Sequence, residues 1–320
     1  MSATNHTDAF VTFAGVTKRF GDKVAVDDVS FAVPRGRTLG IVGESGSGKS
    51  TIARLLVGLE RPTAGSIAFG GEPFPQRYGA MRPMRQRMAM VFQNPADALD
   101  PHLPIGRVVL EPYLASRRRG EATASRAAEL LDMVGLGGVS LSRRAGTFSG
   151  GEQQRIGFAR ALALAPELIV CDEPTSSLDV SVQAQVLNVM LELQERTRVG
   201  FVLISHDLHV VRRMSHEILV LLDGRVMETG EAERVCATPQ HPYTQALLDA
   251  IPRPFWETEG EPEVPAAHLS GSDATGCPFA RRCPHAFDAC AVMPSLRGVG
   301  DDNERHLVAC HLTPAMKGNT

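Results

Sequence analysis

The chain begins with three short runs in which apolar and polar positions take turns: Phe10-Val11-Thr12-Phe13, Val29-Ser30-Phe31-Ala32-Val33 and Thr38-Leu39-Gly40-Ile41-Val42. A period of two marks strands, and polar turns such as Gly21-Asp22-Lys23 predict an antiparallel group over residues 9–42. The period then changes. Ile52, Leu55, Leu56 and Leu59 fall on one helical face, closed by Pro62. From Asn94 to Gly146 the pattern is mostly helical, with an amphipathic helix at Ala122–Val134 ended by Gly135, Gly137 and Gly138, and a further helix is predicted at Glu152–Leu164. Residues from about 94 to 164 thus read as an inserted helical subdomain.

Leu168-Ile169-Val170-Cys171 is apolar without alternation, as in a strand covered on both faces. Helix, strand, helix and strand follow at Val182–Gln194, Phe201–Ile204, Leu208–Met214 and Ile218–Leu222. Such alternation predicts an α/β fold with a mainly parallel sheet core, joined here to the antiparallel β subdomain and the helical insertion. Beyond Pro252, prolines at 254, 262 and 265 among acidic residues suggest a linker to a small cysteine-rich C-terminal extension. The expected division is 1–252 and 253–320.

Composition narrows the classes. The chain has 320 residues, 43% hydrophobic and 22% charged, with a net charge of -3, so no overall charge draws it to nucleic acid or anionic lipid. No apolar run approaches the roughly 18 residues of a membrane helix, and the N-terminus lacks a signal-peptide core. The expectation is a cytosolic chain that reaches a membrane only through partner proteins. Four of its six cysteines, Cys277, Cys283, Cys290 and Cys310, crowd into the tail as C-x5-C-x6-C-x19-C, which in a reducing compartment favours a metal site over disulfides. Cys171 and Cys236 read as buried residues.

The chemistry concentrates in a few places. Gly43-Glu44-Ser45-Gly46-Ser47-Gly48-Lys49-Ser50-Thr51 lies between a predicted strand and helix, the context of a phosphate-binding loop. Its glycines turn backbone N–H groups toward phosphate oxygens, Lys49 is expected at the β and γ phosphates, and the Ser50 hydroxyl at Mg2+. Asp172 and Glu173 end the buried strand, where Asp172 would join the Mg2+ shell and Glu173 polarise a water. His206 ends the next strand, placed to donate to a γ-phosphate. Read singly, these are a flexible Gly/Ser loop, an acidic turn and a structural histidine. A second glycine patch, Ser149-Gly150-Gly151-Glu152, is more than one nucleotide needs, and it suggests two chains closing face to face around ATP.

The order of phosphate loop, Gln93, Ser149-Gly150-Gly151-Glu152, Asp172-Glu173, Ser177-Leu178-Asp179 and His206 resembles the ATPase subunits of ABC transporters over roughly residues 9–250, most closely the peptide-importer branch. The resemblance implies that Phe20 stacks on adenine and that Gln93 touches Mg2+ and water. It implies that Ser149, Gly150 and Gly151 bind the γ-phosphate held by the opposite subunit, and that Asp179 crosses the dimer interface. Glu152 stands where many relatives carry glutamine. The implied partners are two transmembrane permeases, a second ATPase subunit (a copy or a paralogue) and a solute-binding protein outside the membrane, with this chain on the cytoplasmic face and no nucleic acid involved. Members of the branch extend past the core through a stretch like His241-Pro242-Tyr243-Thr244. Some carry a cysteine quartet holding a [4Fe-4S] cluster, while four thiolates also suit Zn2+ or stay metal-free; His285, His306 and His311 are spare ligands. A soluble ABC-type ATPase acting on nucleic acid or ribosomes is the alternative function. A P-loop kinase leaves Gln93 and the second glycine patch unexplained.

Overall fold

A computed structural model describes residues 9–75, 77–250, 276–299 and 306–312; the predicted linker after Pro252 lies outside them. In chain order the strands are β1 (Ala9–Phe20), β2 (Lys23–Pro34), β3 (Thr38–Val42), β4 (Ala64–Phe69), β5 (Glu72–Pro73), β6 (Met88–Val91), β7 (Leu168–Asp172), β8 (Gly200–Ile204), β9 (Glu217–Leu222), β10 (Arg225–Glu231), β11 (Arg297–Gly298) and β12 (Leu307–Val308). The helices are α1 (Lys49–Leu56), α2 (Arg82–Gln86), α3 (Pro95–Ala98), α4 (Ile105–Ala115), α5 (Ala124–Met133), α6 (Gly150–Leu162), α7 (Val180–Thr197), α8 (Leu208–Met214), α9 (Ala232–Ala237) and α10 (Pro242–Asp249).

Two sheets carry the molecule. A small antiparallel sheet runs β2-β1-β4-β5, and a larger one runs β11-β12-β10-β9-β3-β8-β7-β6. One expectation is corrected here: Thr38–Val42 does not join the antiparallel group but lies parallel between β8 and β9. All five of its residues are buried. What looked like a polar position, Gly40, is a close approach, because a Cβ there would collide with Val211 of α8. The alternation of large and small residues imitated the alternation of buried and exposed ones.

The parallel strands feed two cores by turns. Leu39, Ile41, Leu168, Val170, Val202, Ile204, Leu219 and Leu221 pack toward α1 and the small sheet. Their neighbours Val42, Ile169, Cys171, Phe201, Leu203, Ile218 and Val220 pack toward the remaining helices. Both faces of each strand are therefore apolar, which explains the continuous runs of the sequence. Each buried Leu, Ile or Val of β7 contributes roughly 1.5–3 kcal/mol, and all are fully buried. Helices α3 to α6 pack on one another as a helical layer. The segment between α5 and α6 holds no α-helix, so the helical stretch predicted up to Gly146 stops earlier, at the glycines that follow Met133.

The cysteine-rich segment continues the large sheet. β12 pairs antiparallel with β10 (Glu228 opposite Val308, Thr229 opposite Leu307), and β11 pairs with β12. A buried carboxylate fixes the junction: Glu228 accepts from the backbone N–H of Gln240 and of His241, at 2.8 and 2.9 Å, and lies 2.7 Å from His306 Nε2. No helix among the described residues is long and apolar enough to cross a membrane.

Candidate functional site: a phosphate loop with two carboxylates

The site forms at the C-terminal ends of β3, β7 and β8, where parallel strands converge on a crevice. β3 runs into Gly43, and the loop ends at Gly48, which caps α1 with φ 106° and no side-chain hydrogen bond. A Cβ at Gly48 would strike the carbonyl of Ala25, and one at Gly43 the carbonyl of Leu221, so both positions demand glycine. The first N–H groups of α1 are left for a ligand, at the end where the helix dipole favours negative charge.

Lys49 lies buried under this loop and donates to the carbonyls of Gly43 and Glu44, both at 2.7 Å. Burial lowers its pKa, against the opposing charges of Glu173, Asp172 and Glu44. Ser47 Oγ is buried without a hydrogen-bond partner, an orphaned donor inside the cradle. Ser45 and Gly46 are exposed at the loop tip, and Thr51 is half-buried on the first turn of α1.

The carboxylates sit opposite. Ser50 Oγ donates to Asp172 Oδ1 at 3.2 Å. Burial first, then the charge of Glu173, raises the Asp172 pKa, while the Ser50 hydrogen bond opposes them. A hydroxyl beside a carboxylate that burial disfavours fits a divalent cation, whose charge would relieve both effects. Glu173 has φ 47°, a left-handed conformation uncommon for a residue with a side chain. Its N–H is anchored to the Ile204 carbonyl at 2.9 Å. One oxygen, Oε2, lies 3.2 Å from Gln93 Nε2 and 3.3 Å from His206 Nδ1. Three residues far apart in sequence thus meet at one oxygen. Asp207 holds His206 in place by capping α8, accepting from the N–H of His209 at 2.8 Å and of Val210 at 3.3 Å.

Phe20 stands at the end of β1, exposed, with Lys18 Nζ 4.7 Å from its ring centroid. The second glycine patch has a different setting. Ser149 caps α6, which starts two residues earlier than predicted. Glu152 Oε2 accepts from Ser149 N at 2.8 Å and from Ser149 Oγ at 2.9 Å, forming a capping box. Glu152 is therefore spent on its own helix, and the S-x-x-E spacing could have shown this. Gly150 and Gly151 approach Leu178 and Val182 rather closely, and Gly151 has no room for a Cβ. Asp179 caps α7, accepting from Val182 N at 2.9 Å and Ser181 Oγ at 2.6 Å.

A cavity of about 730 Å3 lies elsewhere, lined by Arg35, Arg37, Glu167, Arg198 and His216. It opens at the N-terminal ends of the strands, away from the carboxylates.

Comparison with known proteins accounts for this arrangement. The profile described as "ABC transporter" matches residues 26–176, and the profile described as "Oligopeptide/dipeptide transporter, C-terminal region" matches residues 227–290. A protein of Brucella abortus (strain 2308), named as a peptide import ATP-binding protein, is 45% identical over 298 residues, covering 90% of this chain and 86% of its own. The chain belongs to the ABC transporter family. A Brucella ovis protein of the same kind of name is 42% identical over 305 residues, covering 92% of this chain and 95% of its own. Among solved structures, the dimeric ATP-binding cassette MJ0796 in a post-hydrolysis state with ADP and Pi aligns with TM-score 0.62 at 29% identity, over 69% of this chain and 98% of that one. The cbiO1 subunit of Clostridium perfringens shares the fold, with TM-score 0.67 at 23% identity over 72% of this chain and 92% of its own. As an ABC ATPase, the chain binds and hydrolyses ATP.

The four tail cysteines line one small cavity together with His241, His285 and His311. All are free thiols, and burial raises the pKa of Cys277 and pushes that of Cys283 up to about 11. Among the described residues no group of three or more His, Cys, Asp or Glu side chains is set to hold a metal ion.

The residues that sequence reasoning passed over are Tyr243 and Arg282. The Tyr243 hydroxyl accepts from the N–H of Glu44 at 3.0 Å, and Arg282 donates twice to the Glu44 carboxylate, at 2.7 and 3.1 Å. The His-Pro-Tyr-Thr stretch signalled family membership without signalling this contact.

Proposed function

We propose that this chain is the ATP-hydrolysing subunit that energises an importer of peptides or similar small solutes. The observation that carries the reading is the meeting of Gln93, Glu173 and His206 at one carboxylate oxygen, facing a phosphate loop. The names of the relatives and the match of the C-terminal region favour peptide import. Permeases, a second ATPase and a solute-binding protein outside the membrane are the partners that such a system requires. The chain then works on the cytoplasmic face, held there by the permeases.

In this reading the α1 amides and Lys49 hold the β and γ phosphates and offset charge as the bond between them breaks. Ser50, Asp172 and Gln93 would hold Mg2+, which supplies charge neutralisation when bound. Gln93 and His206 orient a water against Glu173, which takes its proton as the water oxygen attacks the γ-phosphorus, releasing ADP and phosphate. Phe20 packs on the adenine ring. Ser149, Gly150 and Gly151 of a facing subunit close the site, and Asp179 lies along the same seam. ATP thereby favours a closed pair and hydrolysis releases it, a population shift driven by ligand.

Glu173→Gln tests the assignment. The variant should bind ATP, hold a closed pair and lose turnover by roughly 100-fold or more, the scale of a lost general base. Turnover near wild type would remove Glu173 from the mechanism.

Cys277, Cys283, Cys290 and Cys310 are the ligands proposed for a [4Fe-4S] cluster. Tetrahedral Zn2+, at about 2.3 Å from each sulfur, draws four thiolates tightly together, whereas each thiolate of a cluster binds a separate iron and tolerates wider spacing. The four thiols line one cavity, and the absence of a C-x2-C pair in the sequence weakens the zinc reading. Binding would release the protons that burial favours on Cys277 and Cys283. Iron and sulfide analysis of anaerobically purified protein checks this, and a colourless, iron-free product contradicts it.

A further inference from the structure

We propose that the cysteine-rich extension is a working part of the nucleotide site. Arg282 and Tyr243 position the phosphate loop through Glu44, so that what fills the cysteine cavity tunes nucleotide affinity. This rests on the reading above, in which the loop binds ATP and the cavity holds a cluster.

The connection can be traced contact by contact. Arg282 stands on the turn between Cys277 and Cys283, one residue before a cavity-lining thiol. The same turn carries Phe279, which is buried with its ring 5.4 Å from that of Tyr243 and 6.3 Å from that of His241. The Arg282 guanidinium lies 5.2 Å from the Phe279 ring and reaches past it to grip both Glu44 oxygens. A planar fork on a carboxylate fixes direction as well as distance.

Tyr243 makes the second link. Its hydroxyl receives the Glu44 N–H, while its own N–H donates to His241 Nδ1 at 3.0 Å. Because Nδ1 is the acceptor, a neutral His241 carries its proton on Nε2. That atom is buried without a hydrogen-bond partner. His241 lines the cysteine cavity. One residue of the phosphate loop, Glu44, is thus held by main chain and side chain, and both holds run back to the walls of one cavity. The Glu44 carbonyl is also one of the two that hold Lys49, so a shift at Glu44 moves the ammonium destined for the phosphates.

Coupling of this kind is reciprocal. Ordering the Cys277–Cys283 turn around an occupant fixes Arg282, and a fixed Arg282 holds Glu44 without the entropy cost of finding it. The ion pair is about half exposed, 51% and 41% for its two side chains, so its effect is modest, roughly threefold in affinity.

The test uses the full chain purified anaerobically, with fluorescent ATP titrated against Arg282→Ala, Arg282→Lys, Glu44→Gln and the double variant Arg282→Ala/Glu44→Gln. Arg282→Ala should weaken binding roughly threefold and raise KM for ATP while leaving kcat nearly unchanged. Arg282→Lys should recover part of the loss, and the double variant should be no worse than the weaker single. Removing iron with a chelator should weaken the wild type by a similar factor and leave Arg282→Ala unaffected. Unchanged affinity in Arg282→Ala, or additive losses in the double variant, would overturn the positioning role. Unchanged affinity in chelated wild type would overturn the link to the cavity. Wild type that binds no better than Lys49→Ala would sink the phosphate-loop reading and the proposal with it.

Discussion

The chain has two glycine patches, each at the start of a helix, and they are built to opposite plans. At Gly43–Thr51 the helix start has no side-chain cap, a serine hydroxyl is orphaned, and Lys49, Asp172 and Glu173 converge. At Ser149–Gly151 the helix satisfies itself through a reciprocal box with Glu152, and its glycines press against Leu178 and Val182. The first patch is open to a ligand and has the chemistry to use one. The second is stable, exposed at its tip and has no carboxylate pair of its own. The box spends the N–H groups of Ser149 and Glu152, so an anion held by a facing chain would meet those of Gly150 and Gly151.

Lys49→Ala should abolish nucleotide binding within one chain, by roughly 100-fold or more in affinity, since it removes a charged donor from a buried site. Equilibrium titration checks it. Ser149→Arg should leave single-chain binding intact yet cut hydrolysis by roughly 100- to 1000-fold, the scale of lost transition-state donors. If it weakened binding by the isolated chain as much as Lys49→Ala does, the two patches would not differ as argued. Phe20→Ala should weaken ATP by about fivefold, the lower range for base–aromatic stacking, and leave affinity for inorganic triphosphate unchanged.

The smallest effect is a control remote from both patches. His216 accepts from the Thr38 N–H at 3.0 Å, and burial, then Arg37, lowers its pKa from the usual 6.5. The folded state therefore takes up a proton less readily than the unfolded one. Stability is full above about pH 6.5 and falls as pH drops below it. His216→Asn should flatten that part of the curve of thermal midpoint against pH, with no change in nucleotide affinity at pH 7.5.

The first patch was legible because its chemistry is local: strand, glycine loop, lysine and helix all fall within the nineteen residues Thr38–Leu56. Asp172, Glu173 and His206 were readable for a related reason, since each ends an apolar run that could only be a buried strand. The errors arose where a residue answers to a distant neighbour. Gly40 passed for a polar position because Val211, which excludes a side chain there, is far along the chain. Met88–Val91, only four residues long, drew no prediction, yet it is the edge strand that delivers Gln93. Arg282 drew no reading because nothing near it in sequence reveals Glu44. The tail read as an appendage, although β12 extends the central sheet by pairing with β10.

In the proposed mechanism each ATP is enclosed by the phosphate loop of one ATPase subunit and the Ser149–Gly151 loop of the subunit facing it. Steady-state ATP hydrolysis by the assembled transporter, with that serine–glycine loop disrupted in every ATPase copy, measures it most directly. A fall of roughly 100-fold or more is expected, with nucleotide still bound. Hydrolysis at the wild-type rate would contradict it.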